Sequence, residues 1–298
     1  MPNNYMKKII TNTIFFLSAI LSLNAQEAET LFQYPHIPDI LTNLDERSNY
    51  LVSHFWDRCN LKSAFYSKDR FKQAFNDYIA VAPYAHKDTM NLSIEKLIKT
   101  VKKNPENMLI LGEIAQESLY GDSAQFWSDE LYLPFAKAVV ETKKIPKERK
   151  ARFAYHVEVL EQSQVGMTAY PLTFIDEQGN KQNLKDLSSA TFILLFINET
   201  DCDDCIMARA RMATNIKIQQ LITEGKLLIV SINPTEADDE WRENTSKYPS
   251  SWIKGASPDV DSHFDMRMTP SIYLLDQKHT ILAKNIDINT LIATVSRL

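Results

Sequence analysis

Cysteine is scarce in this chain: 3 residues in 298, accompanied by only 6 glycines. Three thiols cannot staple a small secreted scaffold, so a disulfide-dense framework is excluded. So few glycines exclude collagen-like repeats and long flexible linkers. No internal repeat at solenoid periods and no low-complexity block occurs. Dense Lys/Arg runs are missing and the formal net charge is −5, so neither nucleic acid nor an anionic membrane surface is an expected partner. A second Cys pair, a His-x-His spacing, a Gly-rich phosphate loop and a nucleophile-elbow serine are all missing as well.

Apolar runs long enough to span a membrane are also lacking. Ile9 to Leu23 comes nearest, but it is short and diluted by Thr11-Asn12-Thr13. With Lys7-Lys8 before it and Leu23-Asn24-Ala25 after it, residues 1–25 read as a secretory signal peptide, Met6 being a plausible true start. The alternative is an uncleaved N-terminal anchor. The two lysines it carries leave the mature chain two units more acidic than the full sequence. Membrane contact is expected only through this segment before cleavage. Export implies an oxidising or partner-controlled redox setting.

What is present is concentrated at Cys202-Asp203-Asp204-Cys205. The apolar run Thr191 to Ile197 before it reads as a buried strand, and Asn198 to Asp201 as a loop. After it, Ile206-Met207, Ala210, Ala213 and Ile216 to Ile218 recur at helical spacing, predicting one helix from about Cys202 to Glu224, stopped by Gly225. A C-x-x-C at a helix start is the setting of a dithiol redox site: the first sulfur stands at the positive end of the helix, and the second lies within reach for a disulfide.

The chain divides into two grammars. From 26 to 164 apolar residues recur at helical spacing, as in Leu51-Val52, Phe55-Trp56 and Cys59, and five or six helices are predicted. From 165 to 298 strands alternate with helices: Tyr170 to Asp176, 191–197, Leu227 to Ile232, and a hairpin of Ser271 to Leu275 with Thr280 to Ala283. Helices are predicted over Asp238 to Lys247 and Ile288 to Leu298. The fold class is an N-terminal all-α domain followed by an α/β domain with a central mixed sheet.

The second half resembles the thioredoxin-like superfamily, in the branch of exported reductases with an N-terminal extension. Two motifs carry this: Cys202-Asp203-Asp204-Cys205 after a buried strand, and Met268-Thr269-Pro270-Ser271-Ile272-Tyr273-Leu274-Leu275-Asp276 before the hairpin. The helical half is similar to an uncharacterised domain fused to such modules in exported proteins of Bacteroides-like bacteria, through Phe55-Trp56-Asp57 and Glu130-Leu131-Tyr132-Leu133-Pro134. The resemblance implies a periplasmic or cell-envelope thiol-disulfide oxidoreductase without cofactor. Cys202 would be the attacking thiolate and Cys205 the resolving thiol. Pro270 would be a cis proline opposite the dithiol, and the Thr269 backbone would pair with the client chain as an added strand. Implied partners are disulfide-containing client proteins and a redox partner.

Two departures stand out. Asp201 occupies the usual aromatic position before the first cysteine, and Phe196 the usual buried acid six positions before it; Glu199 or Asp201 could substitute, or be plain solvated loop acids. Asp203 and Asp204 suit a helix start, yet each opposes a neighbouring thiolate, which predicts a reducing dithiol; Asp203→Pro with Asp204→His should make it more oxidising. Three alternatives stand beside this reading. One is a redox-inert thioredoxin-fold binding or scaffold module. Another is a copper-binding chaperone using Cys202, Cys205 and His263. For Cys59 the choices are a buried inert thiol or exchange with the dithiol. No other histidine pairs with an acid at a useful spacing.

Overall fold

The computed structural model describes residues 30–121, 124–187 and 189–297; the signal-like segment 1–25 lies outside them. Among the described residues the N-terminal half is all-helical: α1 (Leu44–His54), α2 (Lys68–Ile79), α3 (Lys87–Val101), α4 (Pro105–Leu119), α5 (Asp129–Glu141) and α6 (Lys147–Gln162). Its core gathers the stripes read from the sequence, including Val52, Phe55, Phe71, Phe75, Ile94, Leu97, Leu111 and Phe135. Helix starts are marked chemically: Asn104 caps α4 by accepting from the Glu106 and Asn107 amides, with Pro105 at the first helical position.

The second half is a mixed sheet with strand order β2-β1-β5-β4-β3-β6-β7. The strands are β1 (Thr173–Asp176), β2 (Lys181–Asn183), β3 (Phe192–Ile197), β4 (Leu227–Asn233), β5 (Ile253–Ala256), β6 (Ser271–Asp276) and β7 (Ile281–Lys284). Strand β3 is central, parallel to β4 and antiparallel to β6. Its continuous apolar run is explained by burial on both faces. Ile193, Leu195 and Ile197 join one core with Val230, Phe264 and Tyr273, while Leu194 and Phe196 join another with Met212, Leu221 and Leu291.

Several boundaries differ from the sequence reading. The helix predicted from Cys202 to Glu224 is two: α7 (Asp203–Thr214) and α8 (Ile216–Thr223). Asn215 lies between them in extended conformation, and its side chain caps α8 by accepting from the Ile218 amide, so local side-chain bonding overrides the apolar periodicity. Strand β1 begins at Thr173 rather than Tyr170. Strands β2 and β5 were not predicted: β2 is short and polar, and β5 carries Lys254 and Gly255. Lys254 is nonetheless buried, its ammonium 2.8 Å from Glu177. The later helices are α9 (Asp239–Thr245) and α10 (Ile288–Val295).

Residues 163–172 join the halves without leaving the surface of the sheet. The Gly166 amide donates to the Ile281 carbonyl, the Ile281 amide to Met167, and the Ala169 amide to His279. Helix α6 lies against the 3-10 turn Val260–Ser262, where the Tyr155 hydroxyl donates to the Asp261 carbonyl at 3.0 Å.

Candidate dithiol site

Strand β3 ends at Ile197 and delivers the chain to a loop whose first residue is tied down. Asn198 is fully buried. Its side-chain nitrogen donates to Ser231 Oγ at 2.8 Å, its side-chain oxygen accepts from the Tyr248 hydroxyl at 3.1 Å, and its carbonyl accepts from Asn233 Nδ2 at 2.6 Å. Asn233 Oδ1 in turn accepts from the Trp241 indole. Burial pushes the Tyr248 phenol above its ordinary pKa, which keeps it a neutral donor. The Arg209 guanidinium, on the dithiol helix, lies 3.9 Å over the Tyr248 ring. None of these roles was read from the sequence. The signal was there in Ser231 and Asn233, polar residues interrupting or ending an otherwise apolar strand.

Cys202 follows at the N-cap of α7, and its sulfur accepts from the Cys205 amide at 3.1 Å. The two cysteines are joined as a disulfide. Cys205 is fully buried, whereas Cys202 is half-buried. Asp203 and Asp204 are both exposed in the first turn. So are Glu199 and Asp201, which line an open cavity of about 260 Å³ together with Asn233, Asp238, Glu240 and Trp241. The mouth beside the dithiol is therefore acidic.

The Thr269–Pro270 peptide bond is cis. Register places it relative to the dithiol loop: Ile197, the last residue of β3, pairs with Ser271, the first of β6. Pro270 thus stands one residue beyond the pair at which β3 hands over to Asn198, and Thr269 is exposed. His263, the third candidate copper ligand, stacks on Tyr170 at 3.5 Å and faces Gln162. No three His, Cys, Asp or Glu among the described residues gather to hold a metal. One expectation about histidine is corrected: His54 pairs with Asp57 at 2.8 Å across one turn beyond α1, at the surface. Cys59 is half-buried beside a cavity of about 500 Å³ in the helical half, and burial pushes its thiol up to about 12. Such burial disfavours the thiolate.

Fold and paired cysteines together define a thioredoxin-like α/β module joined to an all-helical domain. The chain belongs to the family described as a domain of unknown function, DUF5106, whose model matches residues 8–163. The crystal structure of a thioredoxin-like protein from Bacteroides caccae is similar over nearly the whole molecule, at 26% identity and a TM-score of 0.78, covering 89% of this chain and 98% of that one. The thioredoxin domain of a thiol-disulfide oxidoreductase from Bacteroides vulgatus is 23% identical, with a TM-score of 0.39, over 45% of this chain and 97% of that one. A conserved protein of unknown function from Bacteroides fragilis is 27% identical, with a TM-score of 0.43, over 45% and 99%. Comparison with curated proteins gave no match.

Proposed function

We propose that the chain is an exported thiol-disulfide oxidoreductase of the periplasm or cell envelope, reducing client-protein disulfides through Cys202 and Cys205. The observation that carries this is the asymmetry of the pair: the half-buried sulfur caps a helix, while its partner is sealed beneath it. In the reduced enzyme a Cys202 thiolate at that cap would be favoured by the helix N-terminus and by the Cys205 amide. It attacks one sulfur of the client disulfide, and the other leaves as a thiolate. Cys205, deprotonated, then attacks Cys202 of the mixed disulfide; the client departs fully reduced and the enzyme is left as the intramolecular disulfide. A thiol or dithiol donor returns two electrons to restore it. Thr269 supplies backbone to which an extended client can add as a strand. The signal-like residues 1–25 support export.

Insulin reduction with a dithiol donor tests this. Wild type should turn over, Cys202→Ser should lose activity at least a hundredfold, and Cys205→Ser should accumulate mixed disulfides. A well-folded wild type that reduces nothing would overturn the reductase and leave a redox-inert scaffold.

A further inference from the structure

The segment that holds Thr269 and Pro270 is short, and both of its ends are fixed. On the far side Ser271 enters the β6 ladder opposite Ile197. On the near side Arg267 is buried, its side chain 6% exposed, although it lies only two residues before Thr269. A three-residue bridge between two anchored ends has few conformations open to it.

What anchors Arg267 comes largely from the other half of the molecule. Its guanidinium pairs with Asp129, the first residue of α5, and with Asp265, whose Oδ2 also accepts from Arg267 Nε at 2.8 Å. The guanidinium lies 4.1 Å over the Tyr120 ring and 5.5 Å from Trp127, both in the helical half. The Tyr120 hydroxyl donates to Asp265 Oδ1 at 3.1 Å. Lys284, at the end of β7, completes the cluster with its ammonium on Asp129 Oδ2, and Asn285 donates to Asp265 Oδ2 at 2.8 Å. Tyr273 of β6 donates its hydroxyl to the Asp265 carbonyl at 3.0 Å. Two carboxylates thus face two cations, all in a buried seam between the halves. Burial works against the Asp129 carboxylate, but the Lys284 and Arg267 charges prevail and hold its pKa below the usual range.

A buried ion cluster of this kind adds little net stability against an apolar replacement. What it enforces is geometry, because removing any one member strands a charge. We propose that Asp129 and Tyr120 are positioning residues which, acting through Arg267, hold the Thr269–Pro270 segment in the shape that receives an extended client chain. The helical domain is then part of the client-binding apparatus rather than a passenger. This rests on the reductase reading given above.

Hydrogen exchange on the full-length oxidised protein, combined with insulin kinetics, provides the test. In Asp129→Asn, exchange at the Arg267 amide, which donates to Asp265, and at Ser271 in the β6 ladder should rise at least tenfold, while Leu194 and Leu195 in β3 keep wild-type rates. Tyr120→Phe, which removes one oxygen and keeps the ring, should raise it about threefold and decides the matter if Asp129→Asn does not fold. In the same Tyr120→Phe variant the KM for insulin should rise at least threefold with kcat within twofold. Unchanged exchange in a folded variant, exchange that rises equally in β3, or a kcat loss without a KM change would each overturn the proposal. A wild type inert toward insulin would sink the reductase instead, and the exchange comparison would still decide whether Asp129 and Tyr120 hold the Thr269–Pro270 segment.

Discussion

The helical half and the sheet half cohere by different means. In the first, Phe55, Trp56, Phe71 and Tyr78 mesh as an aromatic cluster with ring centroids 5.0 to 5.4 Å apart. In the second, β3 is locked residue by residue to β4 and β6. Packed helices accommodate small shifts by repacking, whereas a strand slipped by one residue turns every side chain to the wrong face. The dithiol and the Thr269–Pro270 segment hang from the two ends of one ladder pair. That difference teaches where positional accuracy comes from: the sheet sets the register, and the helical half bears on it through a handful of buried contacts.

A single probe can be applied to both halves. A Cβ at Gly255 in β5 would overlap the Phe174 ring and approach Ile232 Cδ1 to 2.8 Å; at Gly112 in α4 it would overlap Val139 Cγ2 and lie 3.3 Å from Phe153. Gly255→Ala should destabilise by about 3 kcal/mol. Gly112→Ala should cost less, about 1–2 kcal/mol, because helix propensity returns about 1 kcal/mol. Urea unfolding followed by circular dichroism should show one transition, moved by either substitution. Two transitions, each moved by only one substitution, would uncouple the halves.

Next in size is a pH effect centred on His156 of the helical half. Burial depresses His156 from 6.5 to about 4, with Tyr132 bonded to its Nδ1 at 2.7 Å. The folded pKa lies below the unfolded one, so the unfolded chain takes up the proton first. Stability is therefore full above about pH 6.5 and falls as pH drops toward 4. The loss should be roughly 1–2 kcal/mol, discounted for the ring's partial exposure. His156→Gln should flatten that limb of the stability curve; an unchanged slope would remove the histidine from the account.

Smaller still are the caps. Asn104→Ala and Asn215→Ala should each cost about 1 kcal/mol by thermal unfolding, but only the second stands beside the dithiol helix and should also alter insulin turnover. Smallest is the charge effect of the exposed pair Asp203 and Asp204. Neutralising both to Asn stabilises the thiolate and so the reduced form, raising the midpoint potential by about 10–30 mV in a glutathione titration. A lower potential would refute the electrostatic account.

The sheet's central strands and the dithiol's place at a helix start were legible because long apolar runs and a C-x-x-C are local signals. Strand β5 was not, since Lys254 looks solvated until Glu177, 77 positions away, is brought to it. The break at Asn215 was hidden because apolar residues keep helical spacing across it. The seam around Arg267 was illegible for a deeper reason. Tyr120 and Asp265 are 145 positions apart, and Asp129 and Arg267 are 138 apart; taken singly, each looks like an ordinary surface residue.

Asn198 carries one more consequence. With its amide, carbonyl and side chain all engaged by the neighbouring strand and by Tyr248, the chain entering the redox loop cannot travel when the sulfurs part. Below it, Ala208 and Met212 are packed into the core and bar the rest of the helix from following. Any rearrangement between oxidised and reduced protein is thereby confined to the seven residues from Glu199 to Cys205.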